Sequence, residues 1–176
     1  MLHASQTKKS KKLPVKEPAQ PAEIGAATDT TSKRYYHNLK TAFEGYDSTI
    51  FDDVSAIAAT LGLPFHAGPN KKDARAIEKA DLAYFNDFTQ LKDLRRASIV
   101  CHDVASIIML MLALESAGID MLRIKNRFDR KCEAAKKTAG YRDLQLNVRL
   151  PGTGLIWELQ IHVEAIEELK TKMRNT

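Results

Sequence analysis

Glu158 is the second residue of WELQIH, within an extended run of the kind where glutamate is depleted. Residues 140–162, GYRDLQLNVRLPGTGLIWELQIH, alternate apolar and polar, pause at PGTG and resume. Folding the run about PGTG places opposite one another residues whose numbers sum to 305. Leu150–Leu155, Val148–Trp157, Leu146–Leu159 and Leu144–Ile161 are then apolar pairs, and Asn147–Glu158, Gln145–Gln160 and Asp143–His162 are polar ones. A slip of one residue would bury every polar side chain, so the register is tightly specified. A polar sheet face is also what solvent alone requires. Here, however, it carries a mid-strand carboxylate, Tyr141 and Arg142 stand at its entrance, and a preceding run alternates Arg123, Lys125 and Arg127. A carboxylate, an amide row and a basic row on adjoining strands have the chemistry to hold a phosphorylated ligand and a metal ion.

The elements that would position these residues follow from periodicity. Residues 33–61 repeat apolar side chains at helical spacing, in one or two pieces, with Gly62 as a stop. LPFHAGPN, 63–70, reads as a loop, and 71–87 as a helix. Residues 97–101 form a short strand. Val104–Ala117 is an apolar helix with Asp103 as N-cap and Gly118 as stop. Residues 121–128 are a strand, and a helix runs from about Val163 onward. Helices, then strands with crossing helices, then a hairpin make an α/β (α+β) protein with a mixed β-sheet flanked by helices.

The chain has 176 residues, 44% apolar and 28% charged, with a net charge of +5. Within residues 1–20, Lys8, Lys9, Lys11, Lys12 and Lys16 stand against Glu17 alone, so +4 of the charge belongs to that stretch. The pI near 9.2 therefore describes a tail and not a basic nucleic-acid-binding body. Residues 1–30, rich in Lys and Pro, are expected to be a disordered leader, and 31–176 a single domain. The leader has no apolar core of a secretory signal and no Arg before Arg34. The sharper alternative for it is an electrostatic arm for RNA or another polyanion. The apolar helix of about 14 residues is too short for a membrane span, which needs about 20. Two cysteines, Cys101 and Cys132, form no disulfide framework or zinc spacing, which points to a reducing, cytoplasmic compartment.

Five blocks in order, GPNKKDARAIEK, LKDLRRASIV, IDMLRIKNRF, GYRDLQLNV and WELQIH, resemble the synthetase domain of the RelA/SpoT family, in wording closest to small stand-alone and eukaryotic members. The resemblance runs from about Gly68 to Lys170. It implies a nucleotidyltransferase-like fold and transfer of pyrophosphate from ATP to the ribose 3′-hydroxyl of GDP or GTP, the chemistry of guanosine tetraphosphate (ppGpp) and the stringent response. It also implies Mg2+ held by Asp93 and Glu158, with Glu158 as catalytic base and Tyr141 stacked on the acceptor base. Arg75, Lys79, Lys125 and Arg127 would grip the donor phosphates, with Gln145 and Gln160 lining the nucleotide site. Phosphoryl transfer needs such residues, because polyphosphate charge must be neutralised and a hydroxyl nucleophile deprotonated. The two carboxylates are expected on neighbouring strands facing one cleft.

The chain departs from the family pattern at three positions. Ser98 stands where many bacterial members have Arg, Ala139 where they have Asn, and Gln145 where they have His. The last two bear on the guanine nucleotide. Toxin-like acceptors, an adenine nucleotide or the 3′ end of tRNA, therefore stay open beside the guanine nucleotide. A degenerate module that binds nucleotide or RNA without catalysis is the competing class.

Overall fold

The computed structural model describes residues 17–129, 131–132 and 141–174. Its framework is the hairpin. β4 (Leu144–Arg149) and β5 (Ile156–Val163) pair antiparallel, with Asn147 opposite Glu158 and Gln145 opposite Gln160, the register that the alternation dictates. The turn between them closes with Leu150 N donating to Leu155 O (2.8 Å). Gly152 and Gly154 adopt φ of 71° and 74°, a region costly for any residue with a Cβ.

Three further strands complete a five-stranded mixed sheet in the order β1-β2-β5-β4-β3. β1 is Phe65–Ala67, β2 Arg96–Cys101 and β3 Met121–Asn126. Only β2 and β5 pair in parallel, with Arg96 beside Glu158 and Ser98 beside Gln160. A parallel pair needs a long crossover. Here the connection contains a helix, α4 (Val104–Ser116), followed by β3 and β4. Asp103 caps α4 by accepting from Ser106 N (2.8 Å), and Gly118 (φ 72°) ends it, as the sequence predicts.

One face of the sheet is apolar. Ala97, Ile99 and Cys101, Leu144, Leu146 and Val148, and Trp157, Leu159 and Ile161 are all buried there. Phe51, at the start of α2 (Asp52–Thr60), meets the Trp157 ring edge-on at 5.0 Å. Burial pushes the Cys101 thiol up to about 11, in keeping with a small core residue. Both cysteines are free. α1 (Lys33–Glu44), capped by Ser32, buries Tyr35, Tyr36, Leu39 and Phe43. α3 (Asp73–Tyr84) precedes β2, and α5 (Glu164–Arg174) follows β5. Among the described residues no helix is long and apolar enough to cross a membrane.

The structure differs from the sequence reading in several places. The loop expected at 63–70 contains β1, which pairs antiparallel with β2. Three residues between two prolines are too few to show a period. α3 stops at Tyr84 because Phe85 and Asn86 turn left-handed (φ 51° and 64°). β3 ends at Asn126, whose side chain accepts from Phe128 N (2.9 Å) and turns the chain.

The disordered leader expected over residues 1–30 is corrected for its second half; residues 1–16 lie outside the described residues. Residues 17–30 pack on the body. Gln20 is 2% exposed. Its Nε2 donates to Leu91 O (2.8 Å) and Ile156 O (2.7 Å), its Oε1 accepts from Ile156 N (2.8 Å), and its own N donates to Thr89 O (2.8 Å). The Tyr35 hydroxyl donates to Pro21 O. A single polar residue thus ties the leader to the start of β5, something no hydrophobic pattern could announce. Gln20→Ala leaves three buried backbone groups without partners. It is expected to destabilise the protein by about 2–4 kcal/mol, read as a lower urea midpoint at unchanged slope.

Candidate active site

The polar face of the sheet is built in rows. Strand register aligns Arg123, Asn147, Glu158 and Arg96 across β3, β4, β5 and β2, and then Lys125, Gln145, Gln160 and Ser98. Glu158 is 8% exposed, and Gln160 Nε2 donates to its Oε1 at 2.6 Å, fixing its rotamer.

Asp93 is not on a strand. It lies in the segment before β2, a correction to the expected pair of neighbouring strands. It still reaches the same end of the sheet, because Arg95 O accepts from Glu158 N (3.1 Å). Lys71 and Lys79 both donate to Asp93 Oδ2, at 2.5 and 2.9 Å. Burial raises the Asp93 carboxyl, but the two ammonium groups outweigh it and hold the group below its ordinary value of 3.8. Lys79 mirrors this: burial pulls it down, and Asp93, with Glu158 more distantly, brings it above its ordinary value.

The other residues marked in the sequence sort as follows. Arg75 is not brought into the cluster. Its side chain is 75% exposed and pairs with Glu78 (2.9 Å) in the first turns of α3. Lys71 stands nearer the carboxylate instead, from the extended segment before α3. The backbone there is pinned by Lys71 N to Leu94 O (3.2 Å) and Gly68 N to Arg96 O (2.8 Å). Arg127 is spent on a buried ion pair with Asp143 (2.6 Å) and reaches Gln145 Oε1 at 3.4 Å. Lys125 faces the same row, with burial and then Arg127 and Arg123 lowering its pKa. Tyr141 is half-buried, and its hydroxyl shares a 2.9 Å hydrogen bond with Nδ1 of the buried His162. Ala139 lies outside the described residues.

Sequence reasoning also missed Lys92. Half-buried and lowered in pKa chiefly by that burial, it stands with Arg123 around Glu17, at 3.9 and 2.9 Å from its carboxylate. Its only signal was its position beside Asp93.

Asp93 Oδ1 is buried without a hydrogen-bond partner. With Glu158 it offers two carboxylates, and no group of three or more His, Cys, Asp or Glu in metal-binding position occurs among the described residues. Two carboxylates completed by substrate phosphates and water suit magnesium, which is seldom caged by protein alone. The residues therefore fit the group.

Two carboxylates, two converging lysines and a polar hairpin face thus come together at one end of a mixed sheet. No protein-family model and no curated protein matches this sequence. Solved structures do match. The Type VI effector Tas1, in complex with its immunity protein, aligns at TM-score 0.60 and 19% identity over 76% of this chain and 63% of the effector. A GTP pyrophosphokinase family protein from Streptococcus pneumoniae aligns at 0.59 and 14%, over 82% of this chain and 76% of its own. Small alarmone synthetase 1 from Bacillus subtilis, bound to its product pppGpp, aligns at 0.57 and 16%, over 82% and 79%. The fold is that of the GTP pyrophosphokinases and small alarmone synthetases, shared by the effector.

Asp93→Asn would leave two lysines facing an uncharged amide. It is expected to cost about 3 kcal/mol at neutral pH. Because the folded carboxyl lies below 3.8, the wild-type advantage is fully present above that value and is lost as pH falls through the folded pKa. Urea titrations of both proteins from pH 7 to 2.5 measure this; a difference that is constant down to pH 2.5 counts against the pairing.

Proposed function

We propose that the chain transfers the β,γ-pyrophosphoryl group of ATP to the 3′-hydroxyl of a guanine nucleotide. The observation that carries this reading is the convergence of Asp93, Lys71 and Lys79 at the end of the polar face where Glu158 stands. The fold, shared with pyrophosphokinases, supports it.

In this reading the acceptor 3′-oxygen attacks the β-phosphorus of ATP. The bond from that phosphorus to the oxygen shared with the α-phosphate breaks, AMP leaves with that oxygen, and the acceptor carries a 3′-diphosphate. The hydroxyl proton passes to Glu158. Gln160 holds Glu158 Oε1, leaving Oε2 turned to the task. Lys71 and Lys79 exchange part of their attachment to Asp93 for phosphate oxygens. Asp93 and Glu158 would hold a magnesium ion, which when bound supplies positive charge to the polyphosphate. Tyr141 offers a ring for the acceptor base, kept upright by His162.

Incubating the protein with ATP labelled at the β-phosphate, Mg2+ and, separately, GDP, GTP, ADP, AMP or deacylated tRNA tests the reading. Label is expected on a guanine nucleotide. Label on an adenine nucleotide or on tRNA would move the chain to toxin-like chemistry. Nucleotide binding with no label on any acceptor would make it a non-catalytic module.

Glu158→Gln keeps the size of the side chain and removes the base, so product formation is expected to fall by about 10²–10⁴-fold while calorimetric ATP binding persists. A fully active variant would move the base elsewhere. Tyr141→Ala is expected to raise the acceptor KM about tenfold or more with the ATP KM little changed, whereas Tyr141→Phe retains most of the wild-type value.

A further inference from the structure

Arg96 has no assigned part in the scheme above. It opens β2 and stands beside Glu158 in the parallel pairing. Neighbouring strands are about 4.8 Å apart, so the two side chains leave the polar face next to each other. Four other arginines on or near the sheet hold carboxylates: Arg95 holds Asp47, Arg123 holds Glu17, Arg127 holds Asp143 and Arg149 holds Asp120. Arg96 holds none among the described residues, and its Nε is buried with no hydrogen-bond partner. A buried guanidinium nitrogen without an acceptor is costly, and an incoming anion removes that cost.

The backbone beneath it is fixed. Gly68 N donates to Arg96 O (2.8 Å), and a Cβ at position 68 would lie 2.9 Å from that oxygen, so only glycine allows the approach. The strand position of Arg96 is therefore set from both sides, by β5 and by the segment carrying Lys71. It lies between Asp93 with its lysines and the acceptor half of the hairpin. A planar fork of N–H donors in that place matches phosphate oxygens in a way that a lysine cannot.

We propose that Arg96 is a substrate-binding residue that grips the oxygens of the pyrophosphoryl group in transfer. This rests on the pyrophosphoryl-transfer reading for its catalytic part, but the binding part stands alone. Two probes separate them, inorganic tripolyphosphate and adenosine, titrated calorimetrically in EDTA against wild type, Arg96→Gln and Arg96→Lys, with circular dichroism to confirm folding. Arg96→Gln is expected to weaken tripolyphosphate binding about 10–100-fold and leave adenosine binding unchanged. Arg96→Lys should fold as wild type and lose about half of that effect on a logarithmic scale. Label transfer by Arg96→Gln should fall at least as far as binding does.

Tripolyphosphate bound equally by wild type and both variants would overturn the inference while leaving the transfer reading intact. So would a wild type that does not bind tripolyphosphate. A wild type that transfers no label, yet loses tripolyphosphate on Arg96→Gln, would sink the transfer reading and keep the anion site. Should Arg96→Gln fail to fold, Arg96→Lys decides: wild-type affinity for tripolyphosphate overturns the proposal.

Discussion

The parallel pairing of β2 with β5 is the constraint on which the site depends. It places the segment that follows Asp93 beside the strand that carries Glu158, across a sequence separation of 65 residues. Everything between them serves that meeting: α4 and β3 make the crossover, and the hairpin returns β5 to the centre of the sheet. Because β5 lies between β2 and β4, its polar residues have neighbours on both sides. Glu158 accordingly stands between an arginine and an asparagine within one row.

Two kinds of force divide the labour. The apolar face of the sheet, with Trp157, Leu159 and Ile161 buried and Phe51 edge-on to Trp157, supplies the burial that stabilises the fold. The polar face contributes little of that kind and carries charges that stability alone would not choose. Buried ion pairs such as Arg127–Asp143 roughly balance attraction against lost hydration. Their value lies in fixing geometry: Arg127 and Asp143 hold the entrance of β4, and Arg95–Asp47 holds the approach to β2.

How much was legible in the sequence follows from the same division. The hairpin register could be read residue by residue, because an alternating face admits only one pairing. The ends of α4 were equally plain, since Asp103 and Gly118 are local signals. What escaped depends on long-range contact. β1 is three residues long and exists because β2 offers an edge. Gln20 acts through hydrogen bonds to residues 71 and 136 positions away. Within GPNKKDARAIEK, Arg75 was favoured for the phosphates, but it points to solvent and pairs with Glu78, while Lys71 reaches inward from a segment whose path only the β2 contacts define. Asp93 and Glu158 were singled out through the family blocks, whereas Arg96, which lies within LKDLRRASIV, was given no role there.

The sharing of Asp93 Oδ2 by two lysines has a consequence for ionic strength. Both ammonium groups already have a partner in Asp93, so few loosely held counterions gather at them. A polyanion that takes them over displaces a carboxylate contact more than it releases dissolved salt. The slope of log affinity against log salt should therefore be shallower than the number of cations in the cleft implies. A phosphate ligand bound there, as proposed, would then be kept at salt concentrations that strip polyanions from an open lysine-rich surface.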